Sequence, residues 1–334
     1  MNFEFPDVAD FPENEAPAFP DDVDVNHLFK DPFFFRDDMN ELRALIDTTM
    51  SPGKEAGQII NKQFNRIKKA AGAFHATKLN ETKKKMPTSQ ASGDLNVDGI
   101  HAMKADVSGL LKFYGGQIEK LIDAKPKEGV AVYDRAIIEN APTSVREVHK
   151  FMDGLGLLQA AADYMGYPTM RVATVTLHVS RPGDRHHFQQ FQDCETTTSL
   201  LNLHMDPKPG ILKSIIYLNE VTSENGPFKF VPGSPNWKCD DIERIFAWGN
   251  STSNYCHTPT HREAANAFPK RFRRNAIVGR LIPDGSKLSD KLRKLEVAYH
   301  SNTANVMLFS PTFGLHRGGQ CENGMRVNLQ VVLK

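Results

Sequence analysis

Residue 168 separates two kinds of pattern, and that change limits what this chain can fold into. Before it, apolar residues recur every three or four positions. GQIINKQFNRIKKAAGAFHATKLNETKKK sets Ile59, Ile60, Phe64, Ile67, Ala71 and Phe74 on one face and lysines on the other, the spacing of an amphipathic helix. MKADVSGLLKFYGGQIEKLIDA and SVREVHKFMDGLGLLQAAADYMG read the same way, and Asp38 is expected to cap DDMNELRALIDTTM. After residue 168, MRVATVTLHVS alternates and is rich in β-branched residues, so it reads as a strand. LLNLHMD, ILKSIIYLNEV, FKFVPG, ANVMLFS and MRVNLQVVL follow, separated by turn clusters such as RPGD, SENGP and GGQCENG. Helices first and strands afterwards predict an α+β protein with a β-barrel or sandwich core.

Three segments result. Residues 1–35 are acidic and rich in Phe and Pro, and read as an extended arm laid over the domain, with a disordered tail as the alternative; residues 36–167 form a mainly helical support; residues 168–334 form the strand-rich core. Within the core, residues 236–300 are polar and mixed, with short helix signals at HREAANAFPKRF and SDKLRKLE. An insertion of this length is expected to act as a lid over the barrel mouth or as an oligomer contact.

Charge and composition exclude several classes. A formal net charge of +1 lacks the basic excess that phosphate binding needs, so no nucleic-acid partner is expected. The acidic start MNFEFPDVAD is unlike a secretory signal, and no apolar run has the length of a membrane span. Cys194, Cys239, Cys256 and Cys321 are scattered, with no CxxC pair, which points to a reducing, cytoplasmic setting.

The chemistry-bearing pattern is LNLHMD. His204 and Asp206 lie two residues apart on a strand, so both side chains leave the same face and can meet one ion. A third ligand must come from another strand. His316, in FSPTFGLHRGG just after ANVMLF, is the best candidate. Two histidines and a carboxylate on one side of Fe(II) leave the opposite positions open for a bidentate co-substrate and O2. With 12 histidines in the chain, an HxD alone says little, and context raises its weight. Arg326 follows His316 by ten positions across GGQCENG, read as a hairpin turn. The last strand sets Arg326, Asn328 and Gln330 on one face against Val327, Leu329 and Val331. So regular a polar face suggests a wet barrel interior, although an edge strand with one face in water gives the same pattern. Arginine suits the far carboxylate of a dicarboxylate, because its planar fork binds a carboxylate through two hydrogen bonds.

HMD, IIYLNEVTSENGPFKFVPGSP, LFSPTFGLHRGG and a following Arg, in that order, resemble the phytanoyl-CoA dioxygenase-like family of Fe(II)/2-oxoglutarate-dependent oxygenases over roughly residues 168–334. The resemblance implies a double-stranded β-helix, the cupin-like jelly roll, backed by the N-terminal helices. It implies that His204, Asp206 and His316 bind iron, that Arg326 binds the 2-oxoglutarate carboxylate, and that Asn202 makes a polar co-substrate contact. It implies a dioxygenase that consumes O2 and 2-oxoglutarate, releases succinate and CO2, and hydroxylates a small molecule. The chain departs from the family pattern at Ala304-Asn305 before the distal-histidine strand, at Pro235 after PGS, at Gly318 two residues past the distal histidine, and at Ile215 where an aromatic is usual.

Other features have plainer readings. His186, His187, His257 and His261 read as solvated loop residues, and Lys83–Lys85 as a charged surface. The run Lys270–Arg274 lies in the insertion, where it is a candidate contact for substrate phosphate. The alternative function is a metal-binding, cupin-like isomerase or sensor without oxygenase activity. A halogenase of the same superfamily would replace the carboxylate ligand with a small residue, and Asp206 argues against that. A helical interaction module built on residues 37–165 is a further alternative that binding data would test.

Overall fold

A computed structural model describes residues 18–31, 35–81, 87–123, 135–139, 141–182, 203–206, 210–236, 240–249, 259–272, 287–312 and 314–334. The first half is built of α1 (Phe35–Thr49), α2 (Lys54–Glu81), α3 (Gln90–Asp98), α4 (Ser108–Asp123), α5 (Pro142–Gly154) and α6 (Leu157–Met165). Two strands interrupt this half, β1 (Ile100–Met103) and β2 (Arg135–Glu139). At four and five residues they are too short to carry a readable period, so the helical reading of 36–167 passes over them. The second half adds β3 (Val172–Ser180), β4 (Leu212–Tyr217), β5 (Phe228–Phe230), α7 (Asp241–Gly249), α8 (Pro259–Asn266), α9 (Lys287–Arg293), β6 (Val297–Tyr299), β7 (Val306–Phe309), β8 (His316–Arg317) and β9 (Arg326–Leu333).

Among the described residues the strands form two antiparallel sheets, one ordered β1-β7-β4-β9-β3-β2 and the other β6-β5-β8. Period-two alternation decides what each face of the larger sheet meets. Val175, Leu177, Val179, Leu212, Ile216, Val306, Leu308, Val327, Leu329, Val331 and Leu333 pack in one buried cluster with residues of α3, α4, α5 and α6. The opposite face looks into the molecule. There Ile100, Tyr217, Met307 and Phe309 meet Phe228 and Phe230 of the smaller sheet. The two sheets therefore face each other, with helices behind the larger one.

A second helical layer holds α1, α2, α7 and α8. Ile60, Phe64, Ile67, Ala71 and Phe74 of α2 are buried with Ile242, Ile245, Phe246, Ala264, Phe268 and Phe272, so these parts of the 236–300 insertion are core-packed. Phe19, Val25, Leu28 and Phe29 of the N-terminal segment join the same cluster. Phe246 stacks on Phe272 at 4.2 Å, and Phe29 meets both rings edge-on at 5.6 and 5.1 Å. Such pairs each add about 0.5–1.5 kcal/mol beyond burial. Phe29 adopts a left-handed backbone, φ 59°, and its N–H donates to Asp38 Oδ2 at 3.1 Å. Asp38 is thus not the cap of α1, which begins three residues earlier; its carboxylate pins the arm instead.

The GGQCENG segment is not a hairpin turn. β8 belongs to the smaller sheet and β9 to the larger, so the segment crosses between sheets. It leans on the ENGP turn: Gly319 N–H donates to Pro227 O at 3.1 Å, Glu322 N–H to Glu224 O at 2.8 Å, and Asn225 Nδ2 to Asn323 O at 2.8 Å. Gly226 sits where they touch, with φ +69°, and a Cβ there would fall 2.2 Å from the Gln320 carbonyl oxygen. Gly226→Ala is expected to cost about 2 kcal/mol or more, from the left-handed backbone and the clash together. Chemical denaturation of both proteins would measure it, and equal stability would mean that the crossover can shift freely.

Candidate metal centre

Two chain segments meet at the site, and backbone hydrogen bonds fix them first. His204 N–H donates to His316 O at 3.1 Å, and His316 N–H returns a bond to His204 O at 3.0 Å. Asp206 N–H donates to Pro311 O at 2.8 Å. Alternation then sorts the side chains. Leu203, Met205 and Leu315 are buried in the α1/α2/α7/α8 layer, so His204, Asp206 and His316 are turned the other way. The VPGS motif holds the distal segment: Val231 N–H donates to Leu315 O at 2.9 Å, and the buried Ser234 Oγ accepts Leu315 N–H at 2.9 Å. Arg317 anchors the same strand from behind, donating to Glu296 at 2.6 Å, and both side chains are buried.

The result is a cluster. One ligand atom from each of His204, Asp206 and His316 lies within 4.8 Å of the other two. Asp206 Oδ1 is 3.9 Å from His204 Nε2 and 4.0 Å from His316 Nε2. Three donors about 2.1 Å from one ion and on one side of it stand about 3 Å apart, so the cluster is a loose cage that a shared cation would draw in by about 1 Å. The protonation states fit too. His316 Nδ1 lies 2.8 Å from Gly314 O, and a carbonyl only accepts, so Nδ1 carries the proton and Nε2 keeps its lone pair. Burial pushes the His316 imidazole below its usual range, against the pull of Asp206. Burial would raise the Asp206 carboxyl, but His316, Lys213 and His204 outweigh it and hold it at about 2. A neutral imidazole and a charged carboxylate are the forms that bind a metal.

The inner face of the larger sheet continues the site. Ser180, His178 and Thr176 of β3 lie opposite Arg326, Asn328 and Gln330 of β9, and Tyr217 and Ile215 of β4 flank Asn328 and Gln330 on the other side. Thr176, His178, Lys213, Ile215, Arg326 and Gln330 keep partial solvent access, while their neighbours on the helix side are buried. β9 lies between β4 and β3 in the larger sheet, so its polar face is not that of an edge strand. Arg326 donates to Gly319 O at 2.9 Å and to Ser180 Oγ at 3.1 Å, which aims its guanidinium between the sheets. Tyr217, buried and pushed up to about 12 by that burial, stays a phenol: its oxygen accepts Phe228 N–H at 2.6 Å and donates to Tyr299 O at 3.2 Å.

Of the residues singled out from the sequence, His204, Asp206 and His316 come together and Arg326 shares the space between the sheets. Asn202 lies outside the described residues, as do His186, His187, His257 and Lys83–Lys85. Sequence reading missed Lys213, whose ammonium contacts Asp206 Oδ2. The available signal was a lone lysine inside the apolar strand ILKSIIYL, in phase with Ile215 and Tyr217. Among the departures, Asn305 has a visible task. Its side chain accepts Ala105 N–H at 2.8 Å and donates to Ala105 O at 2.9 Å, tying the exit of β1 to the start of β7. Pro235 fills the space beside Gly99, which has no Cβ.

No protein-family model and no curated protein matches the chain. Solved structures similar to it include the non-heme alpha ketoglutarate dependent carbocyclase SnoK from nogalamycin biosynthesis, at 16% identity and TM-score 0.43 over 74% of this chain and 83% of that one. EctD from S. alaskensis with 2-oxoglutarate and 5-hydroxyectoine gives 17% and 0.43 over 75% and 77%. AviO1 from Streptomyces viridochromogenes Tue57 gives 15% and 0.41 over 73% and 92%. At these values the functional reading rests on the side chains themselves.

The buried His316 and Asp206 predict that the protein without metal is acid-sensitive. His316 stays neutral in the folded chain at a pH where the unfolded chain, near its usual 6.5, takes a proton. Its contribution is therefore present above about 6.5 and lost as the pH falls from there toward the lowered folded value. Asp206 adds a second loss as the pH falls from 3.8 toward about 2. Denaturation of the metal-free protein between about pH 7.5 and 5 should show falling stability, with a shallower fall in His316→Gln. Parallel curves would mean that His316 is protonated in the folded state.

Proposed function

We propose that this chain is a non-haem Fe(II) oxygenase that uses 2-oxoglutarate, on a double-stranded β-helix core, and hydroxylates a small-molecule substrate. One observation carries the reading: two imidazoles and one carboxylate converge between facing sheets, with an arginine on the inner face of the opposing sheet. His204, Asp206 and His316 would hold the iron through Nε2, Oδ1 and Nε2. Three protein ligands leave room for a bidentate co-substrate and O2. Iron bound there would supply the oxidative chemistry, with O2 as oxidant: one oxygen atom would go to 2-oxoglutarate as it loses CO2 to become succinate, and the other to the hydroxylated substrate.

The protein's own residues bind, orient and exclude water. The His204–His316 backbone pair sets the spacing of the two imidazoles. Gly314 O fixes the tautomer of His316. Phe309, at 5.0 Å, and Phe228, at 6.1 Å, pack on the His316 ring and keep that side dry. Arg326, held by Gly319 O and Ser180, receives the distal carboxylate of the co-substrate. Asn202 stays a proposed polar contact on the strength of its motif position. The three-part division at residues 35 and 167 stays part of this reading, with β1 and β2 lent to the core by the helical segment.

Succinate release with Fe(II), 2-oxoglutarate and a metabolite library tests the reading, with Asp206→Ala expected to abolish turnover. Full activity in that variant would remove Asp206 from the metal site, and metal binding with no succinate from any mixture would favour an isomerase or sensor. Arg326→Ala should weaken 2-oxoglutarate binding by roughly 30-fold or more, since truncating one partner of a buried charge pair costs about 2–5 kcal/mol. Metal binding should hardly change, and Arg326→Lys should rescue only part. Co-substrate titrations decide it; unchanged affinity would remove Arg326 from the site.

A further inference from the structure

Lys213 is a charge that the sheet does not need. On the inner face of β4 its register partners are Phe309 of β7 and Val332 of β9, both apolar. Its side chain is only 15% exposed. An ammonium group is rarely so enclosed unless an anion meets it, and Asp206 is that anion. The contact divides the carboxylate. Oδ2 meets Lys213, while Oδ1 faces the Nε2 atoms of His204 and His316.

We propose that Lys213 is a positioning residue that holds Asp206 by Oδ2, so that only Oδ1 is offered to the metal, and that its charge trades affinity for the bare metal ion against affinity for an anion bound beside it. The inference rests on the metal-centre reading above. A carboxylate can offer both oxygens to one cation, and doing so would take up a position that a chelating oxoacid needs. The lysine ammonium has three donors and no lone pair, so it can pair with Oδ2 but cannot itself compete as a ligand. The charges point the same way. Asp206 and Lys213 cancel, so with both imidazoles neutral, as metal binding requires, the three candidate ligands and the lysine carry no net charge. A divalent ion then keeps its full charge for an anionic co-ligand, in a setting where charges interact far more strongly than in water. Lys213 repels the ion and attracts the anion.

The test uses metal-free wild type, Lys213→Met and Lys213→Gln, titrated with Co(II) by calorimetry and visible absorption, then with 2-oxoglutarate once loaded. Glutamine can still donate to Oδ2 but carries no charge. Both variants should bind Co(II) more tightly than wild type in the absence of 2-oxoglutarate, by about tenfold, and loaded protein should bind 2-oxoglutarate about tenfold more weakly. The Co(II) spectrum of Lys213→Met should differ from wild type as Asp206 turns both oxygens to the ion, while that of Lys213→Gln should stay close to it. Thermal melts identify a variant that has not folded, and the other variant then carries the test. If wild type binds no Co(II), the metal-centre reading falls and takes this inference with it. If wild type binds one Co(II) and the folded variants match it, or lose affinity for metal and anion alike, this inference alone falls.

Discussion

The two backbone hydrogen bonds exchanged by His204 and His316 are the constraint on which the site depends. They join segments more than a hundred residues apart in sequence, and they do so at the ligands themselves. Side-chain convergence then needs little more than the alternation of side chains along each segment. Leu203, Met205 and Leu315 are drawn into an apolar layer, and that burial turns the three donors toward each other. The site is thus oriented by hydrophobic packing on the reverse side of the same two segments. The helices of that layer, including α7 and α8 from the insertion, support the site from behind.

Electrostatics completes what packing begins. Burying a carboxylate is costly unless it is paired, and here the pair is Lys213 on one oxygen and two imidazoles facing the other. Burial keeps His316 neutral, and the Gly314 carbonyl selects the tautomer with a free Nε2. Behind the strand, the Arg317–Glu296 pair is enclosed and hydrogen-bonded; breaking such a pair typically costs about 3–5 kcal/mol. Charged groups on both sides of β8 therefore favour one placement of His316.

Long periodic segments were legible from sequence. The apolar face of α2 and the two faces of β9 follow directly from spacing, because burial on one side imposes the period. The convergence of His204, Asp206 and His316 was legible from the HxD spacing taken together with the motif around His316. What escaped is what depends on distant partners. β1 and β2 are short and become strands only by pairing with β7 and β3. GGQCENG has the composition of a hairpin turn, and only the assignment of β8 and β9 to different sheets makes it a crossover. Asp38 looked like a cap, since a short acidic residue near a helix start suits that role, yet Phe29 claimed its carboxylate. Lys213 sits in the right phase on β4, but nothing local says that its partner is Asp206.

The central claim is that one metal ion sits between His204, Asp206 and His316 and takes a 2-oxoacid beside it. Anaerobic titration of the protein with Fe(II) and 2-oxoglutarate, followed by visible absorption, tests it most directly. The account predicts a new absorption band that needs both additions, saturates at one iron per chain and is absent from His316→Ala. A featureless titration of folded wild type, or an undiminished band in His316→Ala, would contradict it.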